Sequence, residues 1–229
     1  MEIRVLEDPA APVAEMLTEA AARGGQIVLT GGSTPRRAYE TAARAGTDWS
    51  GATVWFSDER CVPPADGRSN FGLADGALIG RLPKDQRPEV VRMEGELGPE
   101  TGAANYEALV RERLGGDPRW DLLLLGLGPD SHVASLFPGK PEVQERSRLV
   151  AGVEHAGWDP LIPRISLTLP ALNAARRVVF LVTGEDKAPA MRRAFGDPAD
   201  PSSPAAHVRP ESGELLVLCD AAAAKELSP

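Results

Sequence analysis

His132 is one of three histidines in 229 residues, and it stands two positions after Asp130 in GLGPDSHVASLFPG (126–139). A carboxylate that near can orient an imidazole. A neutral imidazole titrates close to neutrality, which suits a general base. The stretch overlaps WDLLLLGLG (120–128), an apolar run that reads as a doubly buried strand ending in a glycine turn. His132 is therefore expected where that strand ends and a helix begins. Ser131 raises the alternative of a Ser-His-Asp hydrolase. Its surroundings lack the G-x-S-x-G elbow, and adjacent Ser and His rarely bring Oγ and a ring nitrogen into line, so Ser131 is read as a turn residue. His155 and His207 lie in proline- or glycine-bounded irregular segments and receive no role.

A second group of residues is cationic and glycine-rich. TGGSTP (30–35) places two glycines and two hydroxyls where a helix is expected to start. Such a turn points backbone N–H groups outward and lies at the positive end of the helix dipole, so it can hold an anion. No Gly-Lys-Ser/Thr follows, which excludes a Walker A loop. A tight turn with a capping residue is the competing structural reading. SDERCV (57–62) closes the next strand with Asp58, Glu59 and Arg60. Arg60 either pairs with a neighbouring carboxylate or offers its fork to a phosphate. Arg164 precedes an alternating strand, and Lys187 falls in the first turn of a helix after a strand. Each alone reads as a surface charge. With Gly31, Gly32, Ser33 and Arg60 they form a convergent set suited to one phosphate, arginine as a fork and lysine as a point charge. Cys61 has no marked His or Asn partner and reads as an inert thiol.

The elements that must position these residues alternate. Strands are expected at 26–30, 52–58, 89–94, 120–128, 176–184 and 213–220, with two more in SRLVAGVE and RISLTL. Helices are expected at 33–46, from Asn70 with Ser69 as cap, at 100–115, at 185–195 and in the alanine-rich end. Ser33 or Thr34 is expected to cap the first of these, and Gly46 to stop it. The βα rhythm predicts an α/β fold: a mostly parallel central sheet with helices on both faces, Rossmann-like, with room for small appended strands or helices. Residues 1–229 are read as one domain, without an internal repeat. Ligands of such sheets bind beyond the carboxyl ends of the strands, where the residues above fall.

Composition narrows the function. The formal net charge of −8 argues against general binding to nucleic acid or to an anionic membrane, which demand clustered Lys and Arg. Two isolated cysteines, Cys61 and Cys219, without metal-ligand spacing, predict no metal site and a reducing compartment. The acidic N-terminus does not read as a signal peptide, and no apolar stretch reaches membrane-spanning length. These features predict a cytoplasmic protein. A monomer or weak homo-oligomer is the working expectation for its assembly, which none of these features sets.

LTGGSTPRRAYE, VWFSDERCVPPADGRSNFGLA, LLGLGPDSHVASLFPG, PRISLTLPALNAARRVVFLVTGEDKA and LLVLCDAAAA, in that order and spacing, resemble the 6-phosphogluconolactonase family from about Gln26 onward. The resemblance implies hydrolysis of 6-phospho-D-glucono-1,5-lactone without cofactor or metal. It implies His132 as the base that activates water and Asp130 as the group that orients it. It implies Gly31, Gly32, Ser33, Asp58, Arg60, Arg164 and Lys187 as residues that hold the phosphate or line the site. The wider superfamily includes glucosamine-6-phosphate deaminases, where a glutamate follows the histidine by five residues; here that position is Phe137. The deaminase aspartate that acts on the sugar aligns with Asp58, in SDER rather than the deaminase pattern DEY. Both differences favour the lactonase. Ser131 replaces the family's usual glycine, and Leu161-Ile162 precede Pro163 where Pro-Pro is commoner. The alternatives are a deaminase-like sugar-phosphate isomerase and a non-catalytic sugar-phosphate-binding protein.

Overall fold

The computed structural model describes residues 1–227. Ten strands and six α-helices run in chain order: β1 (Glu2–Val5), α1 (Ala10–Ala22), β2 (Gln26–Leu29), α2 (Arg36–Arg44), β3 (Thr53–Phe56), β4 (Asp58–Arg60), α3 (Asn70–Ala77), β5 (Glu89–Val90), α4 (Pro99–Leu114), β6 (Leu122–Leu125), β7 (Val150–Val153), β8 (Arg164–Leu167), α5 (Leu169–Asn173), β9 (Arg177–Val182), α6 (Ala188–Phe195) and β10 (Glu214–Cys219). Seven strands form a parallel sheet in the order β1-β10-β9-β6-β2-β3-β5. The other three form an antiparallel sheet, β4-β8-β7.

Successive strand residues point to opposite faces of the main sheet, and two apolar clusters result. Val28, Trp55, Leu123, Leu125, Val178 and Phe180 face one side, where Tyr106 of α4, Leu172 of α5 and Met191 of α6 pack on them. Ile27, Leu29, Val54, Phe56, Leu122 and Leu124 face the other, with Leu17 of α1, Tyr39 of α2 and Ala74 of α3. The expected α/β architecture, helices on both faces, is what the chain adopts. The appended strands are the small antiparallel sheet.

From β2 the strand order runs one way through β3 to β5, then reverses when β6 takes the other flank of β2. That reversal opens a crevice at the carboxyl ends of β2 and β6. The glycine turn leaves β2 and the His132 segment leaves β6, so both candidate motifs meet at this switch point.

Several local expectations change. The sequence reading has no element before Gln26, yet β1 and α1 occupy that region. The strand expected at 52–58 divides at Ser57, because Asp58–Arg60 leaves the main sheet to pair with β8. EVVRME contributes only the two-residue strand β5. Neither Ser33 nor Thr34 caps α2; Pro35 occupies the cap position without a side-chain hydrogen bond, which leaves both hydroxyls free of that duty. Gly46, at φ +72°, does end α2, and Ser69 caps α3 by accepting from the Gly72 N–H. No helix follows β6. Ser131 and Ala134 have φ of +69° and +49°, and left-handed residues so closely spaced cannot continue a right-handed helix. The alanine-rich segment forms turns over 221–226 rather than a helix, a run too short to offset the cost of helix nucleation.

Candidate active site

The turn after β2 is pinned from behind. The buried Tyr39 hydroxyl accepts the Thr30 N–H at 3.0 Å and donates to the Thr30 carbonyl at 2.7 Å. This saturates Thr30 and fixes the start of the loop. The N–H groups of Gly31, Gly32, Ser33 and Thr34 make no hydrogen bond among the described residues. Gly32 needs its φ of +98°, which favours glycine. Gly31 has a different constraint: a Cβ there would stand 1.8 Å from Asn70 Oδ1. Asn70 is buried, and its Nδ2 donates to the Asp58 carbonyl at 2.8 Å.

The small sheet brings the two arginines. Arg60 of β4 lies opposite Arg164 of β8 in register. Arg60 pairs with neither Asp58 nor Glu59. Its Nη1 donates to the Arg68 carbonyl at 2.6 Å, and its buried Nε has no partner among the described residues. Arg164 is 4% exposed, and that burial pushes its guanidinium below its ordinary value. Its Nε donates to the Ile162 carbonyl at 3.0 Å and its Nη2 to the Pro160 carbonyl at 2.8 Å. Lys187 closes a short 3-10 turn directly before α6 rather than sitting within that helix.

The carboxylates of SDER are both buried. Asp58 is 5% exposed and accepts from the Ser57 hydroxyl at 2.9 Å and the Ser135 hydroxyl at 2.8 Å. Glu59 is buried at the start of α3 and accepts from Ser69 Oγ and from the N–H groups of Arg60, Asn70 and Phe71. Burial raises its carboxyl above the ordinary range against the pull of those bonds. Cys61 is half-buried, and burial, with Glu154 and Glu59 nearby, pushes its thiol up to about 11. A thiol so disposed is a poor nucleophile at neutral pH.

His132 and Asp130 meet. His132 Nδ1 lies 2.5 Å from Asp130 Oδ1, and the same oxygen accepts the His132 backbone N–H at 3.1 Å. Burial pushes the Asp130 carboxyl up, but the ring and backbone hydrogen bonds and the charge of His132 outweigh it and hold it below its usual value. The left-handed Ser131 lets the chain double back so that both contacts form. Its hydroxyl donates to the Asp130 carbonyl at 2.5 Å, so it is a turn residue and not a nucleophile aimed at the ring. Gly128 makes room for the imidazole, since a Cβ there would stand 2.1 Å from His132 Nδ1. His132 Nε2 has no partner among the described residues. The Phe137 ring packs 4.7 Å from the imidazole.

One cavity of about 540 Å³ is lined by Gly31, Gly32, Ser33, Asp58, Arg60, His132, Arg164 and Lys187 together. Asp130 stands behind the imidazole and lines a separate, smaller recess. Asn70, Trp158 and Thr183 also border the main cavity, and the sequence reading missed them. Asn70 follows the cap Ser69, but an asparagine inside a helix start carries no separate signal. Among the described residues there is no cluster of three or more His, Cys, Asp or Glu able to hold a metal. No described helix is long and apolar enough to cross a membrane.

Residues 3–217 match the family model described as glucosamine-6-phosphate isomerases/6-phosphogluconolactonase. A 6-phosphogluconolactonase of Streptomyces coelicolor is 40% identical over 230 residues, covering 94% of this chain and 87% of that protein. The human 6-phosphogluconolactonase is 42% identical over 178 residues, covering 77% of this chain and 68% of its own. The crystal structure of a 6-phosphogluconolactonase from Thermotoga maritima superposes with a TM-score of 0.78 at 29% identity, over 96% of this chain and 99% of that one. A match running from β1 into β10, with relatives this similar over most of their length, shows that the chain belongs to the glucosamine-6-phosphate isomerase/6-phosphogluconolactonase family.

Proposed function

We propose that this protein hydrolyses 6-phospho-D-glucono-1,5-lactone to 6-phospho-D-gluconate, with His132 as the base. The observation that carries the reading is the disposition of the imidazole. Nδ1 is engaged by Asp130, while Nε2, without a partner among the described residues, belongs to a side chain lining the cavity. An Nδ1–H bonded to a carboxylate leaves the lone pair on Nε2. That nitrogen takes a proton from water as the water oxygen attacks C1. The tetrahedral intermediate then expels the ring oxygen, which recovers the proton from the imidazolium as the C1–O bond breaks. One group serves as base and then acid, an effect typically worth about 10²–10⁴-fold. Because the lactone is an activated ester, no covalent intermediate and no metal is invoked.

The phosphate is assigned to the Gly31–Ser33 turn with Arg60, Arg164 and Lys187. Four backbone N–H groups and the Arg60 Nε, all without partners among the described residues, are donors suited to an anion. Binding energy there orients C1 beside the histidine. Asp58, with both oxygens taken by hydroxyls, shapes the wall rather than contacting the phosphate. The whole chain is read as one domain, because Val150, Ile165 and Leu167 of the small sheet share a core cluster with the main one. The reading includes a cytoplasmic location and a monomer or weak homo-oligomer acting on a small sugar phosphate.

The lactone opens spontaneously, so the assay is acceleration over blank with freshly generated substrate at low temperature. The expected result is strong acceleration, a fall in kcat of at least about 10²-fold in His132→Ala, and a rise mainly in KM in Lys187→Ala. No acceleration by the wild type, or an unaltered His132→Ala enzyme, refutes the reading. The deaminase alternative predicts ammonia from glucosamine 6-phosphate, and Phe137 beside the imidazole opposes it.

A further inference from the structure

We propose that Trp158 is a substrate-contacting residue whose indole covers the C–H face of the sugar ring; this rests on the lactonase reading above. The chain has four tryptophans. Trp49, Trp55 and Trp120 are completely buried, whereas Trp158 is 44% exposed. An exposed indole is common enough on its own. This one borders the cavity that holds His132 and Lys187, and it is the only Phe, Tyr or Trp among the described residues lining it.

Its placement is built. Trp158 lies in the connection between β7 and β8, which contains neither strand nor helix. Arg164, itself on the cavity wall, gathers that connection. Its guanidinium donates to the carbonyls of Ile162 and Pro160, and its Nη2 lies 3.5 Å from the Trp158 carbonyl. At its far end the connection is anchored by the Cys61 N–H donating to the Pro163 carbonyl at 2.8 Å. A residue assigned to the phosphate site thus also holds the backbone that presents the indole.

The chemistry of the substrate supplies the reason. A phosphorylated six-membered lactone has an anionic end, a reacting carbonyl and, between them, a ring whose faces carry C–H bonds. The cations and the glycine turn suit the first, and His132 the second. An aromatic face is the surface that covers the third, because it removes apolar area from water. Covering roughly 60 Å² of apolar surface corresponds to about a tenfold change in affinity.

The test uses the intact protein with 6-phosphogluconate as the bound ligand, its binding established separately by calorimetry. Acrylamide quenching of tryptophan fluorescence is measured with and without it. Because three indoles are buried, the accessible signal reports Trp158, and Trp158→Phe should remove both that signal and its response to ligand. The expected result is a quenching constant at least halved by saturating ligand. Trp158→Ala should raise KM about tenfold with little change in kcat, and Trp158→Phe should restore most of the affinity. Quenching unchanged by a bound ligand, or a Trp158→Ala KM equal to wild type in an enzyme that hydrolyses the lactone, overturns this assignment alone. A wild type without lactone hydrolysis overturns the functional reading and this assignment with it.

Discussion

Replacing Asp130 by asparagine removes a charge while keeping an oxygen that can accept from His132. In the structure that oxygen takes both the ring Nδ1–H and the backbone N–H of His132. The carboxylate matters most when the imidazole is protonated, during lactone opening. Two unit charges with centres ~4 Å apart attract by about 4 kcal/mol at an effective dielectric of about 20. The two side chains are 19% and 22% exposed, so solvent screens part of this, and ~2 kcal/mol remains. That predicts a fall in kcat of about 30-fold, and more where the amide NH₂ turns toward the ring. KM should change little, because Asp130 does not line the cavity. The assay is initial lactone hydrolysis above blank for the wild type, Asp130→Asn, His132→Ala and the double variant. If Asp130 acts through the imidazole, its replacement should do almost nothing once His132 is gone. An Asp130→Asn enzyme within twofold of wild type refutes the reasoning. So does an equal loss in the His132→Ala background, which would mark a purely structural role.

Gly128→Ala puts a methyl where His132 Nδ1 stands 2.1 Å from the ideal Cβ position, so the ring must leave Asp130. Displacement by about 1 Å predicts a kcat loss of roughly 10²-fold, with overpacking costing about 1–3 kcal/mol in urea unfolding; kcat within threefold of wild type contradicts this. Glu59 carries a carboxyl raised by burial, so the folded state holds its proton more readily than the unfolded chain. Stability should therefore decline as pH rises from about 4.5 through the folded value, and Glu59→Gln should lack that slope while losing about 1–3 kcal/mol through the unpaired Phe71 N–H. Asp130 has the opposite sign: its depressed carboxyl contributes stability above about pH 4 that disappears as pH falls through the folded value. Unfolding free energies of the wild type and Asp130→Asn from urea titrations should differ by about 1 kcal/mol near neutrality and converge in acid.

The motifs were legible because chemistry at a switch point is written locally. TGGSTP and GLGPDSH follow apolar runs directly, and a doubly wound sheet exposes the residues after its strands. The alternating rhythm was legible for the same reason: strands such as LLLL at β6 are buried on both faces and show as continuous apolar runs. The missed β1 has the burial pattern of an edge strand, mostly exposed, and so lacks such a run. The division at Ser57 was invisible because Asp58–Arg60 is a strand only through its partner β8, more than 100 residues away in the chain.

The sequence by itself determined the fold class, the histidine–aspartate pair and the glycine turn, since each depends on residues close in the chain. Only the tertiary structure decided what their neighbours do. It turned Asp58 toward two serine hydroxyls, buried Glu59 under α3, engaged Arg164 with the β7–β8 connection and set Trp158 on the cavity wall. A charged side chain in sequence has many equivalent destinies, because paired, buried and exposed states differ by only a few kcal/mol. Which one it takes depends on partners brought from distant strands, and those partners exist only after the sheets have formed.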